Sequence, residues 1–138
     1  MIDVDKLPER IKSRETIGKI YSFGKTIISS DKRVKAIYNI EKNLIKPSIR
    51  YAVTISSKVG NSAWRNRFKR LIRESVLFEY EIIKEVVLSL KLNVEIVFSP
   101  AFVNQQNQKK IFLADIKPAV SEIFINLKKQ LSSIRENY

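Results

Sequence analysis

The sequence has no cysteine and no histidine, and it holds only three glycines, four prolines and one tryptophan among 138 residues. Without cysteine there is no disulfide framework, no thiolate metal site and no cysteine nucleophile. Without histidine the commonest general base and the usual imidazole metal ligand are missing, and so is the serine-histidine-aspartate triad in its familiar form. Catalysis by carboxylates alone stays open. So little glycine and proline excludes low-complexity or collagen-like character. Long apolar runs are missing too: "IIKEVVLSLKLNVEIVF" is broken by Lys and Glu every few residues and cannot span a bilayer. The opening "MIDVDKLPERIKSRE" carries acids where a secretory signal has its basic region and lacks the apolar stretch that should follow, so a cytoplasmic location is expected. Nothing resembles a linker between two cores, and a single domain over 1–138 is expected.

What is present in excess is positive charge. Lys and Arg number 26 against 14 Asp and Glu, a net charge of +12. Nucleic acid is the leading partner class, because each neutralised phosphate releases condensed counterions. An anionic membrane surface is the weaker alternative.

Hydrophobic periodicity divides the chain into helix, strand, strand, helix, strand, helix. Leu7, Ile11, Ile17, Ile20 and Tyr21 recur at roughly helical spacing and Gly24 follows as a stop. "VKAIYNI" and "IRYAVTIS" alternate with period two, which predicts two strands, most simply a hairpin across the turn "EKNLIKPS". Gly60 and Asn61 suit a tight turn and a helix N-cap, with the helix running from about Ser62. Leu77, Phe78, Ile82, Ile83, Val86, Val87 and Leu90 continue or restart that helix. "NVEIVFSP" reads as a buried strand, "AFVNQQNQKK" as a polar loop. Ile116 through Ile134 mark a long amphipathic helix, after which "RENY" is expected to fray. The expected architecture is α+β: helices on a small mixed sheet in the order α-β-β-α-β-α.

The segment "KVGNSAWRNRFKRLIRE", Lys58 to Glu74, concentrates the charge. From Lys42 to Arg73 there are nine Lys and Arg and no acid. On a helix with Arg65 at zero, Lys69, Arg73, Asn66, Arg70 and Arg67 fall at about 40°, 80°, 100°, 140° and 200°, whereas Leu71, Trp64, Phe68 and Ile72 fall between about 240° and 340°. Trp64 is therefore expected to anchor the helix in the core; a base-stacking platform is the alternative. A merely solvated face would intersperse Glu at i,i+4, but Arg65, Lys69 and Arg73 repel one another at that spacing, and a bound polyanion would relieve the repulsion. A DNA-reading helix-turn-helix would need a short helix and turn before this one; a strand precedes it instead. Arginines in such number suit phosphates better than base edges, so structured RNA is the better fit.

The run "SSKVGNSAWRNRFKRLIRE" closely resembles the signature of the bacterial ribonuclease P protein component: a strand ending Ser-Lys-Lys, a glycine turn, then Arg-Asn-Arg-x-Lys-Arg-x-x-Arg opening a helix. "LPERIKSRE…IYSFGK" is similar to the family's amino-terminal helix and glycine, and "VEIVFSPA" to its last strand, so the resemblance covers about 7–131. It implies an α+β sandwich with a left-handed βαβ crossover, and a protein that assists a catalytic RNA in removing the 5′ leader of precursor tRNA. By position, Lys58, Arg65, Asn66, Arg67, Lys69, Arg70 and Arg73 would face the catalytic RNA, and Tyr21, Tyr38 and Ser56 would line a cleft for the leader. Three positions depart from the family pattern: Ser57 replaces the first lysine of the pair, Ile17 an aromatic, and Ser99 an arginine before the proline. The expected partners are the catalytic RNA and precursor tRNA, with no membrane and no protein partner required. No catalytic site or cofactor is expected on the protein. The hydrolytic metal, magnesium, would be held by RNA phosphates. A ribosomal or RNA-chaperone protein using the same helix is the competing reading.

Overall fold

The computed structural model describes residues 8–42 and 45–136. Leu7, the turn residues Asn43 and Leu44, and Asn137 and Tyr138 of "RENY" lie outside the described residues. Ten elements run in order: strand β1 (Glu9–Arg10), helix α1 (Arg14–Phe23), strands β2 (Lys25–Ile28), β3 (Val34–Lys42) and β4 (Ser48–Val53), a 3-10 turn (Ser57–Val59), helices α2 (Ser62–Glu79) and α3 (Glu81–Leu90), strand β5 (Leu92–Pro100) and helix α4 (Leu113–Glu136).

The strands form one mixed sheet in the order β1-β4-β5-β3-β2. The expected hairpin of β3 with β4 does not form. β5 lies between them, antiparallel to β3 and parallel to β4. The reason is burial: Val94, Ile96, Val97 and Phe98 are apolar toward both faces, so β5 takes the centre, where both faces are covered. Alternation in β3 and β4 fixes which residues share a face but not which strand lies alongside. The hairpin that does form joins β2 to β3 through "SSDKR". Ser29 N–H donates to the Val34 carbonyl (2.9 Å), and Ser29 Oγ and Arg33 N–H donate to Asp31 (2.6 and 3.0 Å). Partial burial alone would raise the pKa of Asp31, but these bonds and the Arg33 guanidinium hold it below its ordinary value.

Helix α1 begins later than its apolar pattern suggested, because Glu9 and Arg10 pair with β4. Ser13 caps it, its Oγ accepting from Thr16 N–H at 3.3 Å. The helix from Ser62 does restart: α2 ends at Glu79, Tyr80 caps it, and α3 begins at Glu81.

The two sheet faces differ. One carries the main core, in which Phe68, Phe98, Phe124, Ile72, Ile96 and Ile123 are fully buried beneath α2, α3 and α4. The other is only partly covered: Ile11, Ile20, Ile37, Ala52 and Val97 form a small cluster under α1, with Ile17 against it. Around that strip the face stays polar, with Arg50 paired to Glu95 in one row and Lys35 opposite Ser99 in another. β4 and β5 are parallel neighbours, joined by α2 and α3. That connection sets α2 immediately after the end of β4, which is what positions the site.

Candidate nucleic-acid interface

The path from β4 into α2 is built from local hydrogen bonds. Ser56 Oγ accepts from Lys58 N–H at 3.2 Å at the start of the 3-10 turn, and Asn61 Oδ1 accepts from Trp64 N–H at 2.9 Å as the α2 N-cap. Gly60 is closely approached: a Cβ there would come within 3.1 Å of both Gln105 and Trp64. The loop 101–112, a plain polar connection by sequence, braces this corner. Gln105 N–H donates to the Val59 carbonyl (2.7 Å), and Gln105 Oε1 accepts from Asn61 N–H (2.8 Å). Gln108 presents its carbonyl to Trp64 Nε1 (2.9 Å) and its side chain to Arg33 (3.2 Å) and Asp115 (3.1 Å). Gln105 and Gln108 are positioning residues that no periodicity could reveal, since each acts through contacts with residues distant in sequence.

α2 divides as the angular argument requires. Trp64, Phe68, Leu71, Ile72, Ser75 and Val76 are buried, and Trp64 stacks on Phe68 with ring centroids 5.8 Å apart. Trp64 is thus a core anchor with its indole N–H satisfied, not a platform for bases. On the opposite side Asn66 and Arg70 are exposed and Arg65, Lys69 and Arg73 half-buried, with Lys58 exposed in the preceding turn. Among the described residues, Lys58, Asn66, Lys69, Arg70 and Arg73 have no side-chain hydrogen bond, and no carboxylate lies within 4 Å of any cation on this face. Arg65 reaches only Ser62 Oγ, at 3.3 Å. Burial raises the pKa of Tyr51, and the positive charges of Arg10 and Arg73 work against the shift.

Arg67 differs from its neighbours. Its Nε donates to the Ile111 carbonyl, and its guanidinium lies 5.5 Å from the centre of the Phe112 ring. Half-buried in the α2–α4 seam, it ties the helix down and leaves only its outer nitrogens free.

The leader-cleft residues do not all meet. Tyr21 and Ser56 line one groove of about 360 Å³ with Lys35, Thr54, Ser99 and Pro100, and the Tyr21 hydroxyl is hydrogen-bonded to Thr54. Tyr38 is on the other side of the sheet, 5% exposed in the main core with Val34 and Ala36. Side chains alternate along β3, so it is Lys35, Ile37 and Asn39 that face α1 and the groove side. Lys35 and Thr54 were missed by sequence reasoning. Their signal was present in the alternation, but assigning it required the strand register. Among the described residues no three His, Cys, Asp or Glu side chains are clustered to hold a metal ion, and no helix is long and apolar enough to cross a membrane.

This arrangement can be set beside known proteins. Residues 6–121 match the family model described as Ribonuclease P. The chain belongs to the ribonuclease P protein family. The Ribonuclease P protein component of Macrococcus caseolyticus (strain JCSC5402) is 42% identical over 66 residues, covering 48% of this chain and 54% of the relative. That of Bacillus cereus (strain AH187) is 34% identical over 71 residues, covering 51% and 58%. The matched stretch thus spans little more than half the length of either curated relative. Among solved structures, the RNase P protein of Staphylococcus aureus aligns over 86% of this chain and 94% of its own (TM-score 0.63, 22% identity). That of Thermotoga maritima aligns over 86% and 96% (TM-score 0.65, 19% identity). At such identity these two establish the fold of this ribonuclease P family chain, an α+β mixed sheet with four helices.

Proposed function

We propose that the chain is the protein subunit of ribonuclease P, binding the catalytic RNA through α2 and assisting it in removing the 5′ leader of precursor tRNA. One observation carries the reading: within a ribonuclease P family fold, Lys58 in the 3-10 turn and Arg65, Asn66, Lys69, Arg70 and Arg73 on a braced helix are presented with no carboxylate partner among the described residues. Such a face neutralises crowded phosphates. Arg67 contributes its outer nitrogens while holding the α2–α4 seam. The groove of Tyr21, Lys35, Thr54, Ser56 and Ser99 opens where β4 turns into α2, so a single strand leaving the helix face would run into it. Phosphodiester hydrolysis falls to the RNA and to magnesium held by its phosphates; this chain binds and orients.

The test is multiple-turnover cleavage of precursor tRNA by the cognate catalytic RNA at low magnesium, with and without the purified protein. A gain in 5′-leader removal is expected. No gain, together with tight binding to unrelated structured RNAs, would favour the ribosomal or RNA-chaperone reading.

A further inference from the structure

A second pocket, of about 330 Å³, sits at the corner where α1 turns into β2, beside the end of α4 and at the sheet edge remote from β1. Phe23, Lys25, Tyr38, Asn39, Gln130 and Ser133 line it. Phe23 is 80% exposed, far more than a packing role would leave it. Its position is nonetheless fixed. Gly24 N–H donates to the Ile20 carbonyl at 2.7 Å, and a Cβ on Gly24 would come within 2.5 to 2.9 Å of Ile20, Ile37 and Tyr38, so the corner is clamped onto β3. Lys25 is the cross-strand partner of Tyr38. The Tyr38 ring is buried, yet its hydroxyl has no hydrogen-bond partner among the described residues and is not sealed from the pocket.

An exposed aromatic face, a cation, the Gln130 amide and the Tyr38 and Ser133 hydroxyls share one concavity of small-ligand size, with Ile40 and Ile134 as its apolar wall. An inorganic anion would use the lysine but not the phenyl ring. An apolar peptide would leave the Gln130 amide and the Tyr38 and Ser133 hydroxyls unpaired. A nucleotide uses all of them: a base stacks on an aromatic ring, amides and hydroxyls pair with base edges or ribose, and the phosphate takes the cation. Lys129, exposed one turn before Ser133 on α4, extends positive charge along the approach. We infer that this corner is a separate RNA contact that holds one nucleotide, its base stacked on Phe23, its phosphate at Lys25, and Tyr38, Gln130 and Ser133 on its polar edge. Tyr38 thereby belongs to a pocket across the sheet from the groove with Tyr21.

The test is NMR of the uniformly ¹⁵N-labelled full chain titrated separately with adenosine, guanosine, cytidine and uridine 5′-monophosphates, with inorganic phosphate as control. Saturable shifts of the Phe23, Lys25 and Asn39 backbone amides and of the Gln130 side-chain amide are expected with at least one nucleotide. Phe23→Ala should weaken that binding about tenfold or more, and Phe23→Trp should retain it. Because Phe23 is exposed, its removal should leave the melting temperature unchanged. Three outcomes would each overturn the inference: no shift at this corner with any nucleotide, equal shifts with inorganic phosphate alone, or nucleotide binding indifferent to Phe23→Ala. The titration contains no catalytic RNA, so it is read independently of the leader-cleavage assay.

Discussion

Lys35 provides the most discriminating perturbation of the groove. It is the single charged residue among those lining it, and its Cα partner across the β3–β5 ladder is Ser99, on the same face. The family resemblance calls for an arginine at Ser99, so the groove's cation has moved one strand over without leaving the groove. If a leader phosphate is held there, Lys35→Ala removes one ion pair. In water-like surroundings a pair at about 4 Å is worth about 1 kcal/mol, and the open groove places Lys35 near that end of the range. The KM for precursor cleavage should therefore rise roughly fivefold, and the salt slope of substrate binding should fall by about 0.7, the value for one single-strand phosphate. Measured with the assembled ribonucleoprotein, the effect should vanish for a precursor whose leader is trimmed to one nucleotide. Exchanging the charge, Lys35→Ser with Ser99→Lys, should restore most of the loss, since directly opposed residues have Cβ atoms only about 5 Å apart. A Lys35→Ala penalty that ignores leader length would refute the reasoning. So would a folded exchange variant no better than Lys35→Ser alone.

The α2 face and its anchor yield three further predictions. Arg70→Ala should weaken binding of the catalytic RNA and lower its salt slope by about 0.9 without altering thermal stability, because exposed Arg70 makes no hydrogen bond, ion pair or ring contact among the described residues. Arg67→Ala should lower both, since it also frees the Ile111 carbonyl and uncovers Phe112; filter binding at several salt concentrations beside urea melts separates the two. Trp64→Ala should cost about 3–5 kcal/mol in urea unfolding, the range for an emptied buried aromatic site. Trp64 is 4% exposed and its loss strands the Gln108 carbonyl, so weakened RNA binding with an unchanged melt would contradict the assignment of Trp64 to the core.

How much of this was legible follows from what periodicity encodes. A helix with a dense apolar stripe reports its own two faces, so α2 could be split into Trp64, Phe68, Leu71 and Ile72 against Arg65, Lys69, Arg70 and Arg73 from sequence alone. Strand alternation reports two faces as well, but not which one points at the helices. In β3 both sets contain apolar residues, Val34, Ala36 and Tyr38 on one side and Ile37 on the other. Only pairing with β5 decides that Tyr38 goes into the core and Lys35 into the groove. Sheet order was hidden for a related reason. β1 and β2 have two and four residues, too few to show a period, and the central place of β5 depends on its burial on both faces.

The loop 101–112 shows why a correct helix assignment does not by itself make an interface. Arginines repelling one another along α2 would favour fraying of its first turns, the part that carries Arg65, Asn66 and Arg67. Opposing that are the Asn61 cap, the Trp64 indole bound to the Gln108 carbonyl, and Gln105 bridging Val59 and Asn61. Gln108 is in turn held by Arg33 from the β2–β3 turn and by Asp115 from α4. The first turn of α2 is thus fixed from three separate elements before any RNA arrives, so the backbone that carries the arginines loses little conformational entropy on binding. Loosening the brace while sparing every arginine of α2, as in Gln108→Ala, which removes the side-chain bonds to Arg33 and Asp115 but keeps the backbone carbonyl that accepts from Trp64, isolates that contribution. The electrostatic slope of RNA binding depends only on the cations and should stay the same, while affinity falls at every salt concentration.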